Sequence, residues 1–200
     1  MSSRNRLKIA LAPFALAAAL MSAGAAFAHP EGSSAGSSGV RGEMLTSIQD
    51  AEDKLVQLAE AMPEAKYGWA PDKGVRTVGE VFMHVAAANF GIPSFVGVKP
   101  PEGFNFDTYE HSLTKKADII KAMKDSFTHM TTAFKGMSDE DLDKPAEFFG
   151  MKTTHRGAFV ILLGHAHEHL GQAIAYARSN KVTPPWTAKQ QAEEAKAKKK

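Results

Sequence analysis

The chain has 200 residues, with 24 Lys and Arg against 22 Asp and Glu, and it contains no cysteine. The missing thiols exclude disulfides, thiolate nucleophiles and thiolate metal ligands, so any chemistry must use histidine, carboxylates, hydroxyls or a bound ion. The slight basic excess sits in the first residues and in the tail Lys196, Lys198, Lys199 and Lys200, so no nucleic-acid-binding surface is expected.

The chain opens with Arg4, Arg6 and Lys8, then an apolar run over residues 9–20, then small residues ending Ala26-Phe27-Ala28. This is the pattern of a secretory signal, with cleavage expected before His29. An apolar run of about 12 residues is short of the roughly 20 that a spanning helix needs. The expectation is a periplasmic or secreted protein, with residues 1–28 as signal peptide and no membrane attachment after its removal. The body that remains suffices for one domain with a sizeable core. Residues 29–42 are rich in Gly and Ser and read as a flexible lead-in.

From residue 43 the apolar positions Met44, Ile48, Ala51, Leu55, Leu58 and Ala59 recur at spacings of three and four, which predicts a first helix over residues 43–62. Residues 63–73, with Pro63, Gly68 and Pro71 and with Gly74 just after, read as a loop, packed down by Tyr67 and Trp69. Thr77-Val78-Gly79-Glu80 is a capping-box pattern that predicts the start of a second helix. Its apolar face is Val78, Val81, Phe82, Val85 and Ala88, and Gly91 with Pro93 ends it. After a second long connection over residues 92–106, a third helix is predicted over residues 108–135. There Leu113, Ile120, Phe127 and Phe134 fall at seven-residue spacing, with Met123 and Met130 between them.

Residues 139–150 read as an acidic turn, without strands. A fourth helix is predicted over residues 154–178, with Phe159, Leu163, Ala166, Leu170, Ala173 and Ala177 on one stripe. Residues 187–200 have nothing apolar to bury and read as a charged, solvated tail. The predicted class is therefore all-α, an antiparallel four-helix bundle over residues 43–186, with the order of its helices left open by two long connections.

At about 100° per residue, His165 and His169 lie about 40° apart and one turn up the same helical face, where they can share an ion. His167 lies about 200° from His165 and is expected to point away. The stripe that carries the pair also carries Ala158, Leu162, Gln172 and Tyr176, which sets the imidazoles beside the core. Burying two imidazoles forfeits their hydrogen bonds to water unless partners replace them, and a metal would satisfy both rings. His84, in the middle of the apolar second helix, is the natural third ligand, because bundles build metal sites from inward side chains of facing helices. A metal-free network of core histidines remains the alternative. His111, His129 and His155 are expected to be solvated.

Tyr67-Gly-Trp69-Ala-Pro71 and Thr77-Val-Gly-Glu80-Val-Phe-Met-His84 resemble the start of the second helix in the DinB-like superfamily. His165 to Gln172 (HAHEHLGQ), with Arg178-Ser-Asn and Pro184-Pro185 after it, is similar to that superfamily's last core helix. The resemblance covers residues 44–186. It implies a four-helix bundle that binds a divalent transition metal, Zn, Ni or Fe, through His84, His165 and His169. It also implies a metal-dependent hydrolase or transferase acting on a small-molecule substrate of unknown identity, and it leaves a homodimer open. Export departs from relatives that use cytosolic thiols. A non-catalytic bundle with a structural metal is the second reading.

His165-Ala-His167-Glu168-His169 also fits the inverted zinc-peptidase signature H-x-x-E-H, in which the glutamate activates water. Such peptidases are much larger α/β chains, and an all-α body of this length is a poor host. Glu168 nevertheless stays a candidate base or outer-sphere partner, although it lies about 300° from His165 on the helix.

Overall fold

A computed structural model describes residues 39–199. The expected signal peptide, and the expected lead-in as far as residue 38 with His29, lie outside the described residues. Seven helices and one hairpin follow in chain order: α1 (Val40–Ala61), α2 (Val78–Gly91), α3 (Phe106–Tyr109), α4 (Lys116–Lys135), α5 (Asp139–Leu142), β1 (Pro145–Phe148), β2 (Met151–Thr154), α6 (His155–Ser179) and α7 (Pro185–Ala197).

Four long helices, α1, α2, α4 and α6, make the bundle. α2 packs between α4 and α6, and α1 closes the ring between the same two, so α1 faces α2 across the diagonal. Consecutive long helices are therefore not all neighbours, and the long connection from Met62 to Thr77 is what allows α1 and α2 to sit apart. Every apolar position read on the first helix is buried, as are Val78, Val81, Phe82, Val85 and Ala88 of α2. Phe82, Phe127, Phe134 and Phe159 have no appreciable exposure and fill the centre, with the rings of Phe134 and Phe159 4.6 Å apart.

Three expectations need correction. The predicted third helix is two: α3 is a single turn, closed where the Ser112 hydroxyl donates to the Tyr109 carbonyl, and the chain is extended at Lys115 before α4 begins. Leu113, the first residue of the seven-residue series, falls in that break yet still packs on the core, so periodicity of burial outran the helix. The acidic turn holds the helix α5 and a two-stranded antiparallel hairpin, with Pro145 opposite Thr154 and Phe148 opposite Met151. Its turn residues Phe149 and Gly150 both have positive φ, 47° and 80°, as a two-residue hairpin loop requires, but without the Asn-Gly or Asp-Gly that announces one. Finally, α1 begins at Val40, inside the expected lead-in, where Arg41 pairs with Asp139 at 2.7 Å.

The tail is helical as α7 and buries none of its residues; Trp186 alone packs partly against the core. No described helix is long and apolar enough to cross a membrane.

Candidate metal centre

The capping box read in the sequence is formed on both sides. Thr77 Oγ1 accepts from the Glu80 amide at 3.2 Å, and the Glu80 carboxylate accepts from the Thr77 amide at 2.7 Å. The preceding loop is fastened to the same helix end: the Val78 and Gly79 amides donate to the Trp69 and Tyr67 carbonyls, each at 2.9 Å. A side chain at Gly79 would come within 3.2 Å of Ile119 and 3.4 Å of the Tyr67 carbonyl, so glycine lets loop and helix meet. This fixes the phase of α2, whose residues are nearly all buried, and leaves His84 at the seam with α6, its side chain 22% exposed.

From α6, His165 and His169 meet it. The Nε2 atoms of His84 and His165 lie 3.0 Å apart, and one ligand atom from each of the three rings lies within 4.8 Å of the others. Two nitrogens each about 2.0–2.1 Å from a common ion sit about 3 Å apart, so the donor set fits a divalent transition metal.

The outer nitrogens carry the stronger argument. His84 donates from Nδ1 to Glu110 at 2.8 Å, and Arg76 grips the Glu110 carboxylate with two donors, at 2.6 and 3.2 Å. His169 donates from Nδ1 to Gln172 Oε1 at 2.8 Å; Gln172 donates to the Tyr176 hydroxyl at 3.1 Å; that hydroxyl donates to the Arg76 carbonyl at 3.1 Å. Both chains of hydrogen bonds therefore end on Arg76, one on its guanidinium and one on its backbone. With Nδ1–H committed in His84 and His169, their Nε2 atoms are acceptors, as bonds outside a metal's ligands commonly arrange, and that of His84 lies within hydrogen-bond distance of His165 Nε2, which an ion between the rings would replace. His165 is the exception, since its Nδ1 is buried without a partner.

Burial, together with the neighbouring imidazoles, pushes His165 down to about 3. Burial also lowers His84, against the opposing pull of Glu110. Both rings are thus uncharged at neutral pH, the form that ligates. Burial alone would raise Glu110, but the hydrogen bonds from Arg76 and His84 outweigh it and hold the carboxyl below its ordinary value. A cavity of about 580 Å³ is lined by Arg76, Glu80, Glu110, His111 and Gln172 among others, so it meets the partners of the outer ring nitrogens rather than the three histidines themselves.

The structure thus brings together the three histidines that the sequence singled out. His167 is exposed and turns Nδ1 back to the Leu163 carbonyl at 3.0 Å, and Glu168 is exposed on the helix surface. His111 is exposed as expected, with Nδ1 3.1 Å from Glu80. His129 and His155 are not solvated as expected: each is partly buried and holds one ring nitrogen with neither partner nor solvent. Glu110 and Arg76 were missed. Their pairing spans 34 residues and leaves no spacing to read, although Arg76 stands directly before the capping box.

Residues 47–173 match the model of the DinB superfamily. Among solved structures, a DinB-like protein from Bacillus cereus ATCC 10987 superposes with a TM-score of 0.64 at 23% identity, over 73% of this chain and 95% of that one. A DinB-like protein from Bacillus subtilis, YjoA, gives 0.57 at 19% identity, over 70% and 93%. YfiT from Bacillus subtilis, described as a probable metal-dependent hydrolase with an unusual four-helix bundle topology, gives 0.61 at 14% identity, over 78% and 94%. No curated protein matches the chain.

Proposed function

The chain belongs to the DinB superfamily, and from that premise we propose that it is an exported metal-dependent hydrolase or transferase, holding a divalent transition ion, Zn, Ni or Fe, through His84, His165 and His169. The observation that carries the reading is the convergence of the three rings, with the Nδ1 atoms of His84 and His169 already committed to Glu110 and Gln172. With those donors fixed, each of the two rings presents Nε2 as an acceptor, the form that ligates. When bound, the ion supplies Lewis acidity to a substrate oxygen or water.

The protein's own residues do the rest. Glu110 and Gln172 fix the ring planes, and Arg76 holds Glu110 charged and in place. The cavity lined by Arg76, Glu110 and Gln172 has room for a polar small molecule against the residues that orient the rings. The description of YfiT favours hydrolysis over transfer. Residues 1–28 support export, which N-terminal sequencing of protein from the periplasm or medium would check.

Elemental analysis of the purified mature protein tests the centre. One equivalent of a transition metal is expected in wild type and in Glu168→Ala, and a large loss in His84→Ala and His165→Ala. Unchanged metal content in both histidine variants would overturn the site. Metal-loaded wild type then goes against a panel of esters and amides, with and without a thiol acceptor; turnover without the acceptor is the expected result.

A further inference from the structure

A second cavity, of about 510 Å³, shares no residue with the metal centre. Three of its lining residues are aromatic. Phe90 of α2, Phe104 of the preceding connection and Tyr109 of α3 stand with ring centroids 5.9, 5.6 and 5.1 Å apart, at tilted or edge-to-face angles. His129 of α4 adds a fourth ring, 5.4 Å from Phe90. Charge on the lining is of one sign: Glu102 and Asp125 contribute carboxylates, and no Lys or Arg lines the cavity. The His129 Nε2 is buried there without a hydrogen-bond partner.

These features select a ligand class. Aromatic faces carry negative quadrupole density and attract cations, and carboxylates beside them add to that attraction while repelling anions. The Asp125 charge reaches the aromatic wall, since burial and then Asp125 push the Tyr109 phenol up. Burial pushes His129 down, so this ring is neutral and offers a cation no repulsion. A bare metal ion is a poor fit, because among the described residues the only cluster of three or more ligating side chains is that of His84, His165 and His169. We propose that this cavity is a binding site for an organic ammonium ion, a quaternary or protonated amine whose cationic head lies against the wall formed by Phe90, Phe104 and Tyr109, beside Asp125 and Glu102.

Choline and its uncharged isostere 3,3-dimethylbutan-1-ol are suitable probes, titrated into the full-length metal-loaded protein by calorimetry or saturation-transfer NMR. Choline is expected to bind roughly tenfold more tightly than the isostere, the margin expected of a desolvated cation–π contact. Phe104→Leu and Asp125→Asn should each weaken choline several-fold. Lys121, which holds one Asp125 oxygen at 2.5 Å, competes for that carboxylate, so Lys121→Ala should tighten choline binding. Lys121 is largely exposed, and its replacement leaves the fold intact. Removing the metal with a chelator should leave choline binding unchanged, which separates this site from the centre. Equal affinity for the two probes, no saturable binding of either, or indifference of choline to Lys121→Ala and Asp125→Asn would each overturn the assignment.

Discussion

Arg76 is the residue on which the candidate metal centre turns, because its guanidinium and its carbonyl terminate the hydrogen-bond chains from His84 and His169 respectively. Removing a partner that orients a ligating histidine costs about 10–100-fold in metal affinity. Glu110→Ala and Gln172→Ala should each fall in that range, measured by competition against a chromogenic chelator. Arg76→Met should resemble Glu110→Ala, since only its side-chain arm is lost and its carbonyl still receives Tyr176. Glu168→Ala should leave affinity unchanged. The convergence of the three histidines was legible in the sequence, because an i, i+4 pair and a lone histidine on an apolar helix obey helical geometry. Glu110 was not, because the apolar period places it inside one long third helix, whereas it caps the single turn α3. His129 gives a pH dependence independent of the metal. Its folded-state value is lowered from 6.5, so below about pH 6.5 the unfolded chain binds more protons and stability falls as pH drops through the lowered value. Above pH 6.5 the contribution is fully present. In metal-free protein, His129→Phe should flatten that part of the acid limb in denaturant titrations at pH 7 and pH 5.

At the scale of elements, the capping box is the clearest case of a sequence pattern realised in full, with both reciprocal bonds in place. Losing an N-cap hydroxyl costs about 0.5–2 kcal/mol. Thr77→Ala should therefore lower unfolding free energy by about 1 kcal/mol in urea, and Thr77→Ser should restore most of it. Because Arg76 immediately precedes the cap, Thr77→Ala should also weaken metal binding, and a loss of stability with unchanged metal affinity would count against that coupling. α3 was harder to read for a definite reason. Phe106 packs over Gly91, where an added side-chain carbon would stand only 2.3 Å from its ring, and this close approach helps place the single turn that ends at Glu110. The apolar period of the third helix continued smoothly through Leu113 and concealed the break. The hairpin was concealed because its strands are four residues each and its turn uses Phe149 in a left-handed conformation, a residue that carries no turn signal.

For the molecule as a whole, the proposed ion would join α2 to α6 and touch neither α1 nor α4. The apolar core that holds Phe82, Phe127, Phe134 and Phe159 includes none of the three histidines, and α1, α4 and the hairpin are held by their own contacts. A chelated protein should therefore stay folded, with unchanged far-ultraviolet circular dichroism, yet melt earlier. An ion present at a hundred times its dissociation constant stabilises the native state by about 2.7 kcal/mol. For a domain of this size each kcal/mol moves the melting temperature by about 2–4 °C, which makes the expected drop on chelation about 5–10 °C. His84→Ala should melt near the chelated wild type and be indifferent to added metal, because two ligands on one helix no longer bridge to a second. If chelation left the wild-type transition where it was, the three rings would be a hydrogen-bonded seam between α2 and α6. If it abolished folding altogether, the ion would be a structural staple and the open cavity beside Arg76 would lose its catalytic reading.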